Sequence, residues 1–206
     1  MKNLSMIISV MILWSFMCCA SKAKYFTNYY TGKYTGLDTL INLQGYYISS
    51  SCYPNPYNGF VMTMFYNNGL ALHNSCNNSP EDKEDDFLVN LYKGYLKKKV
   101  YWLQWGSYVI KDDTIKLQTN VTFGFPYPSG AFIEYSDFKL LPGGRIQLVA
   151  EYGRGDDWPY DWKLHPDCNK PSVFFPLETK ADSTKCPLLK KKWFWDKASY
   201  ENQKKK

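Results

Sequence analysis

The sequence predicts a mainly β domain, an antiparallel barrel or sandwich with one helix near residues 80–98, set behind an N-terminal signal segment. Three observations predict it. Aromatic residues make up 18% of the 206 positions, with 18 Tyr and 7 Trp, and such side chains favour the pleated surface of a sheet over a helical bundle. Apolar and polar residues alternate in several short runs, which is the period of a strand. Turn-forming Asn67-Asn68-Gly69, Asp112-Asp113 and Pro142-Gly143-Gly144 separate those runs, the arrangement of hairpins and not of parallel βαβ units.

The chain opens with Lys2, an apolar stretch over residues 6–17 interrupted by Ser9 and Ser15, and small residues at Cys18, Cys19 and Ala20. This is the layout of an export signal. The stretch is shorter than the roughly 20 apolar residues a membrane-spanning helix requires. Phe16-Met17-Cys18-Cys19 resembles a bacterial lipobox, in which the Cys after the cut is acylated on sulfur. The preferred reading makes residues 1–18 a lipoprotein-type signal peptide and Cys19 the lipid attachment site. The alternative, cleavage after Ala20 or Ala23, leaves a secreted or periplasmic soluble protein. Residues 19–36 then read as a polar, Tyr-rich tether, and 37–206 as a single β domain with a basic C-terminal tail.

Strand signals begin at residues 45–49. From 60 to 66, Phe60, Met62, Met64 and Tyr66 share one face while Val61, Thr63 and Phe65 share the other, and Asn67-Asn68-Gly69 turns the chain back into Leu70-Ala71-Leu72. Ser79 and Pro80 read as a helix cap and first helical residue. Phe87, Leu88, Leu91, Tyr92, Tyr95 and Leu96 follow at helical spacing, with acids early and Lys late as the helix dipole prefers. A second hairpin pairs residues 105–110 with 114–119, where Ile115, Leu117 and Thr119 oppose Lys116, Gln118 and Asn120, so that one face meets water. A third runs from 131 to 140, turns at Pro142-Gly143-Gly144 and returns over 145–151.

The segments Leu43-Gln44-Gly45-Tyr46-Tyr47, Tyr66-Asn67-Asn68-Gly69 and Trp105-Gly106-Ser107-Tyr108-Val109-Ile110-Lys111-Asp112-Asp113-Thr114-Ile115-Lys116 carry a resemblance. Over roughly residues 43–151 the chain looks like the small, uncharacterised lipocalin-like β-barrel lipoproteins of the Bacteroidota. The resemblance implies a lipocalin-like barrel and a bacterial cell envelope, with the outer membrane favoured. Its motifs are structural and imply a fold more than an activity.

Six Cys are present. Past the signal, Cys52, Cys76, Cys168 and Cys186 are expected to form two disulfides in an oxidising compartment, and of the three pairings Cys52 with Cys76 and Cys168 with Cys186 is preferred. No C-x-x-C spacing occurs, so no metal site and no cofactor are expected. The formal net charge of +6 is concentrated in Lys97-Lys98-Lys99, Lys190-Lys191-Lys192 and Lys204-Lys205-Lys206. Such runs suit solvent or anionic lipid headgroups, and an exported protein has no nucleic acid to meet.

Chemistry is sparsely signalled. The two His, His73 and His165, read as loop or strand-end residues, and no nucleophile elbow, P-loop or dinucleotide fingerprint occurs, so no catalytic residues are assigned. Asp156, Asp157 and Asp161 beside Trp158, Tyr160 and Trp162 could serve a glycan-acting enzyme, since sugar hydrolysis uses paired carboxyls. Phe60, Met62, Met64, Tyr66, Tyr101 and Trp105 are candidate lining for a ligand inside a barrel. Three functions stay open: a membrane-anchored binding module for a small apolar ligand or an envelope protein, an envelope glycan enzyme using that Asp loop, and a non-catalytic structural lipoprotein.

Overall fold

The structure is a computed structural model that describes residues 26–50, 60–76, 104–122, 131–154 and 170–203. The expected helix near 80–98, the signal peptide with Cys19, and Tyr101, His165 and the loop of Asp156, Asp157 and Asp161 lie outside the described residues.

Eight strands form one antiparallel sheet: β1 (Gly45–Ser50), β2 (Phe60–Phe65), β3 (Leu70–Cys76), β4 (Gln104–Lys111), β5 (Thr114–Thr122), β6 (Ala131–Leu141), β7 (Arg145–Arg154) and β8 (Val173–Pro176). Their order is β7-β6-β5-β4-β3-β2-β1-β8, so each strand up to β7 lies beside its neighbour in sequence, and turns too short to do otherwise join β2 to β3, β4 to β5 and β6 to β7. At the first turn Gly69 takes φ +86°, at the second Asp112 takes φ +55°, and at the third Gly143 and Gly144 take +78° and +72°. These are left-handed values that Gly adopts freely and Asp tolerates. The mainly β, antiparallel reading is borne out, and the architecture fits a lipocalin-like barrel.

The sheet curls until its faces differ. Phe65 on β2 and Phe138 on β6 meet edge to face with ring centroids 5.6 Å apart, although β3, β4 and β5 lie between their strands. The Ser172 N–H, just before β8, donates to the Ile146 carbonyl on β7 at 2.8 Å, drawing together the two ends of the strand order. The concave face therefore carries Tyr47, Val61, Phe65, Ala71, Tyr108, Ile115, Leu117, Phe138, Ile146 and Leu148. Leu37 and Ile41 join them from the stretch around the 3-10 turn Leu37–Thr39, plugging the end where the short turns gather.

The convex face is apolar too. Met62, Met64, Tyr66, Leu70, Leu72 and Trp105 lie under the chain ends, where Phe26, Tyr30, Leu188 and Phe194 cover them. The two ends hold each other: the Tyr30 N–H donates to the Phe194 carbonyl and the Asp196 N–H to the Tyr30 carbonyl, both at 2.9 Å. Tyr30 also stacks on Phe194 at 5.3 Å. The short helix α1 (Lys197–Gln203) follows, begun by Asp196, whose carboxylate accepts from the Ser199 N–H at 3.0 Å, as a helix cap does. Among the described residues no helix is long and apolar enough to cross a membrane.

One expectation is corrected here. Residues 26–36, expected within a tether, belong to the folded body, because Phe26 and Tyr30 are buried on the sheet. The chain after residue 170 supplies β8 and part of the convex cover. Among the described residues Cys186 carries a free, buried thiol. It packs into the convex apolar layer, where burial pushes its pKa up to about 11. Cys52 and Cys168 lie outside the described residues, as does the side chain of Cys76.

Candidate functional site in the barrel interior

The expected ligand-lining set divides differently from the reading. Met62, Met64 and Tyr66, on β2 and the residue after it, do share one face, as alternation requires, but that face is the convex one, and with Trp105 they are buried under the chain ends. They line no barrel interior. Nothing is described of the Phe60 side chain, and Tyr101 lies outside the described residues. The reason is physical: when both faces of a sheet are covered, a period of two separates the faces without saying which is concave.

The concave face holds an unexpected layer of polar groups at the end away from the short turns. Ser49, Thr63, His73, Thr119, Ser136, Glu151 and Ser172 are buried there. Strand register assembles it: Thr63 pairs with His73, His73 with Gln104, Thr119 with Glu134, and Ser136 with Glu151. Such opposed residues point to the same side of a sheet. The long connections 51–59, 77–103, 123–130 and 155–169 all leave the sheet at this end.

His73 is the centre of the layer. It is completely buried, and the strand β3 that carries it runs to Cys76, past the expected stop at Leu72. Its Nδ1 lies 2.9 Å from the Thr63 hydroxyl. Its Nε2 lies 3.3 Å from the Ser136 hydroxyl, reaching across the interior from β3 to β6. Desolvation pushes its pKa down to about 3, so near neutral pH the imidazole is uncharged, with one nitrogen donating and the other accepting.

Glu151 faces inward because of an irregularity in β7. Phe138 pairs with Leu148, and Asp137 with Ala150, which leaves Val149 as the extra residue of a β-bulge. A bulge resets which side chains face which way. Leu148 and Glu151, three positions apart, therefore both point into the barrel, where strict alternation would have sent Glu151 to solvent. The donor atoms of His73, Glu134 and Glu151 all lie within 4.8 Å of one another. Gln104 stands opposite His73, and its buried Oε1 has no hydrogen-bond partner among the described residues.

Compared with known proteins, the chain matches no family model, no curated protein and no solved structure. The site is therefore read from its chemistry alone: two carboxylates, a neutral imidazole, an amide oxygen and several hydroxyls, closed off beneath by a packed apolar layer. That combination offers hydrogen-bond acceptors and cation ligands.

A second concavity lies outside the barrel near the short-turn end. It is an open groove of about 630 Å³ bordered by Leu40, Gln44, Tyr66 and Lys180. The Lys180 ammonium donates to the Leu43 and Phe65 carbonyls at 2.6 Å each and sits 4.2 Å from the centre of the Tyr66 ring. Burial pushes its pKa down to about 8, against which the two carbonyls and the ring face hold the charged form. Two of its three donors go to backbone carbonyls, so it serves as a brace between the segment before β1 and the end of β2.

Proposed function

We propose that the chain is a cell-envelope lipoprotein, anchored to a membrane by acylated Cys19, whose lipocalin-like barrel binds a small polar ligand or ion in its interior. The observation that carries the binding role is the convergence of His73, Glu134 and Glu151 from three strands onto one interior point. The β-bulge that turns Glu151 inward is a device found beside functional sites. The anchor is supported by the signal layout at residues 1–20 and by the resemblance to Bacteroidota lipoproteins, which favours the outer membrane. The expected apolar ligand gives way to a polar one, because the apolar end of the interior is filled by Phe65, Tyr108, Phe138 and Leu37.

Two mass measurements on the chain purified from bacterial membranes test the proposal. The mature amino terminus is expected to be an acylated Cys19, and an unmodified start at Ser21 or Lys24 would refute the anchor. Native spectra of the folded chain are expected to carry an added mass that Glu151→Gln removes. An identical bare mass for both proteins would refute the binding role.

A further inference from the structure

We infer that His73, Glu134 and Glu151 form a mononuclear site for a divalent first-row transition ion, with a fourth coordination position left for water or a ligand atom. The inference rests on reading the barrel interior as the binding site. Its basis is the donor set: one imidazole nitrogen and two carboxylates, from β3, β6 and β7, with donor atoms all within 4.8 Å of one another. An ion of this class binds such donors at about 2.0–2.2 Å, so small rotations of the two Glu side chains bring all three into its shell. Two carboxylates match the charge of a divalent ion, and the mixed nitrogen and oxygen set suits zinc and its neighbours better than calcium or magnesium.

The surroundings of His73 supply the second observation. A metal-binding imidazole is normally held by a hydrogen bond from its other ring nitrogen, which fixes tautomer and orientation. Thr63 Oγ1 does this at Nδ1, 2.9 Å away. With the proton on Nδ1, the Nε2 lone pair turns toward β6 and β7, where among the described residues it meets the long 3.3 Å contact from Ser136. Ser136 is the residue paired with Glu151, so the lone pair faces the carboxylate strand. Gln104, opposite His73, adds a buried amide oxygen that can complete the shell or accept from a bound water.

The test uses the full chain stripped with a chelator and titrated calorimetrically with zinc chloride, with metal content measured on the dialysed product. One equivalent of zinc per chain is expected. Thr63→Val, which keeps the shape and removes the acceptor, is expected to weaken binding about 10–100-fold. The double variant Glu134→Gln with Glu151→Gln is expected to abolish saturable binding while its far-ultraviolet dichroism matches the parent. No saturable zinc in a folded parent, or equal uptake by the folded double variant, would overturn the site, the latter placing the ion on thiols or surface acids. Should the double variant fail to fold, Thr63→Val decides: unchanged affinity overturns the site. A parent that binds no zinc yet carries an organic molecule lost in Glu151→Gln would overturn the metal and leave the binding role standing, whereas a parent that binds neither would overturn both.

Discussion

The contact between Phe65 and Phe138 allows the curl of the sheet to be measured in solution. Neighbouring strands lie about 4.8 Å apart, so four such steps would hold β2 and β6 about 19 Å apart in a flat sheet. The rings are 5.6 Å apart at an interplanar angle of 89°, an edge-to-face pair expected to contribute about 0.5–1.5 kcal/mol beyond its buried area. Both residues are almost fully buried. Phe65→Leu and Phe138→Leu are each expected to cost about 1–2 kcal/mol, from lost area and a partly relaxed cavity. Because each single variant already loses the ring pair, the double variant should be less destabilised than the sum by about 1 kcal/mol. Urea denaturation of the four proteins, with equal slopes required, gives the coupling. Additivity within about 0.3 kcal/mol would mean that the rings do not meet, and the assignment of concave and convex faces would fall with it.

Other perturbations probe separate parts of the structure. A methyl group on Gly106 would run into the Gln118 carbonyl and the Thr119 side chain, so Gly106→Ala should cost about 1–3 kcal/mol or more. Gly143→Ala, which meets no atom within 4 Å but keeps φ at +78°, should cost about 1 kcal/mol, and equal costs would argue against the close β4–β5 approach. Lys180→Met keeps the stem and removes two charge-assisted hydrogen bonds; a loss of about 2 kcal/mol is expected in thermal or urea unfolding, and a neutral result would refute the brace. Burial pushes the phenols of Tyr30 and Tyr47 up to about 12 and that of Tyr108 up as well. Phenols raised in the folded state ionise first in the unfolded chain, so their stabilising contribution is intact below pH 10 and is lost as pH climbs from 10 toward 12. Urea midpoints should therefore fall above pH 10, with phenolate absorbance from these residues appearing only as the chain unfolds. Ionisation of Tyr47 near pH 10 in a chain that stays folded would contradict its burial.

Much of the sheet was legible in the sequence because hairpins are local. Asn67-Asn68-Gly69, Asp112-Asp113 and Pro142-Gly143-Gly144 fix three turns, and alternation around them fixes the strands on either side. Strand β8 was not legible, since four residues ending in Pro176 and pairing with β1 across the length of the chain leave no local period. The fate of the chain ends was hidden for a related reason: Phe26, Tyr30 and Phe194 are scattered rings whose meeting depends on the finished sheet. That convex cover is also what made Met62 and Met64 look like ligand lining.

The site was less legible than the fold. His73 follows Leu72 in a run that reads as a strand end, and only the pairing with Thr63 and Gln104 shows the strand continuing inward. Glu151 sits at an outward position by alternation, and only the extra residue at Val149 reverses it. Metal spacing in sequence identifies sites built from one turn or helix. His73, Glu134 and Glu151 come from three strands, so their 4.8 Å proximity has no sequence signature. Polar residues recurring on the face that also carries Val61, Phe65, Ile115 and Leu117 were the one available hint.

Anomalous diffraction at the zinc edge, from crystals of the full chain soaked in zinc chloride, tests the interior site most directly. A single interior peak is predicted, about 2.0–2.2 Å from one His73 ring nitrogen and from a carboxylate oxygen of each of Glu134 and Glu151. An interior without anomalous density, with zinc bound only at surface acids or thiols, would contradict it.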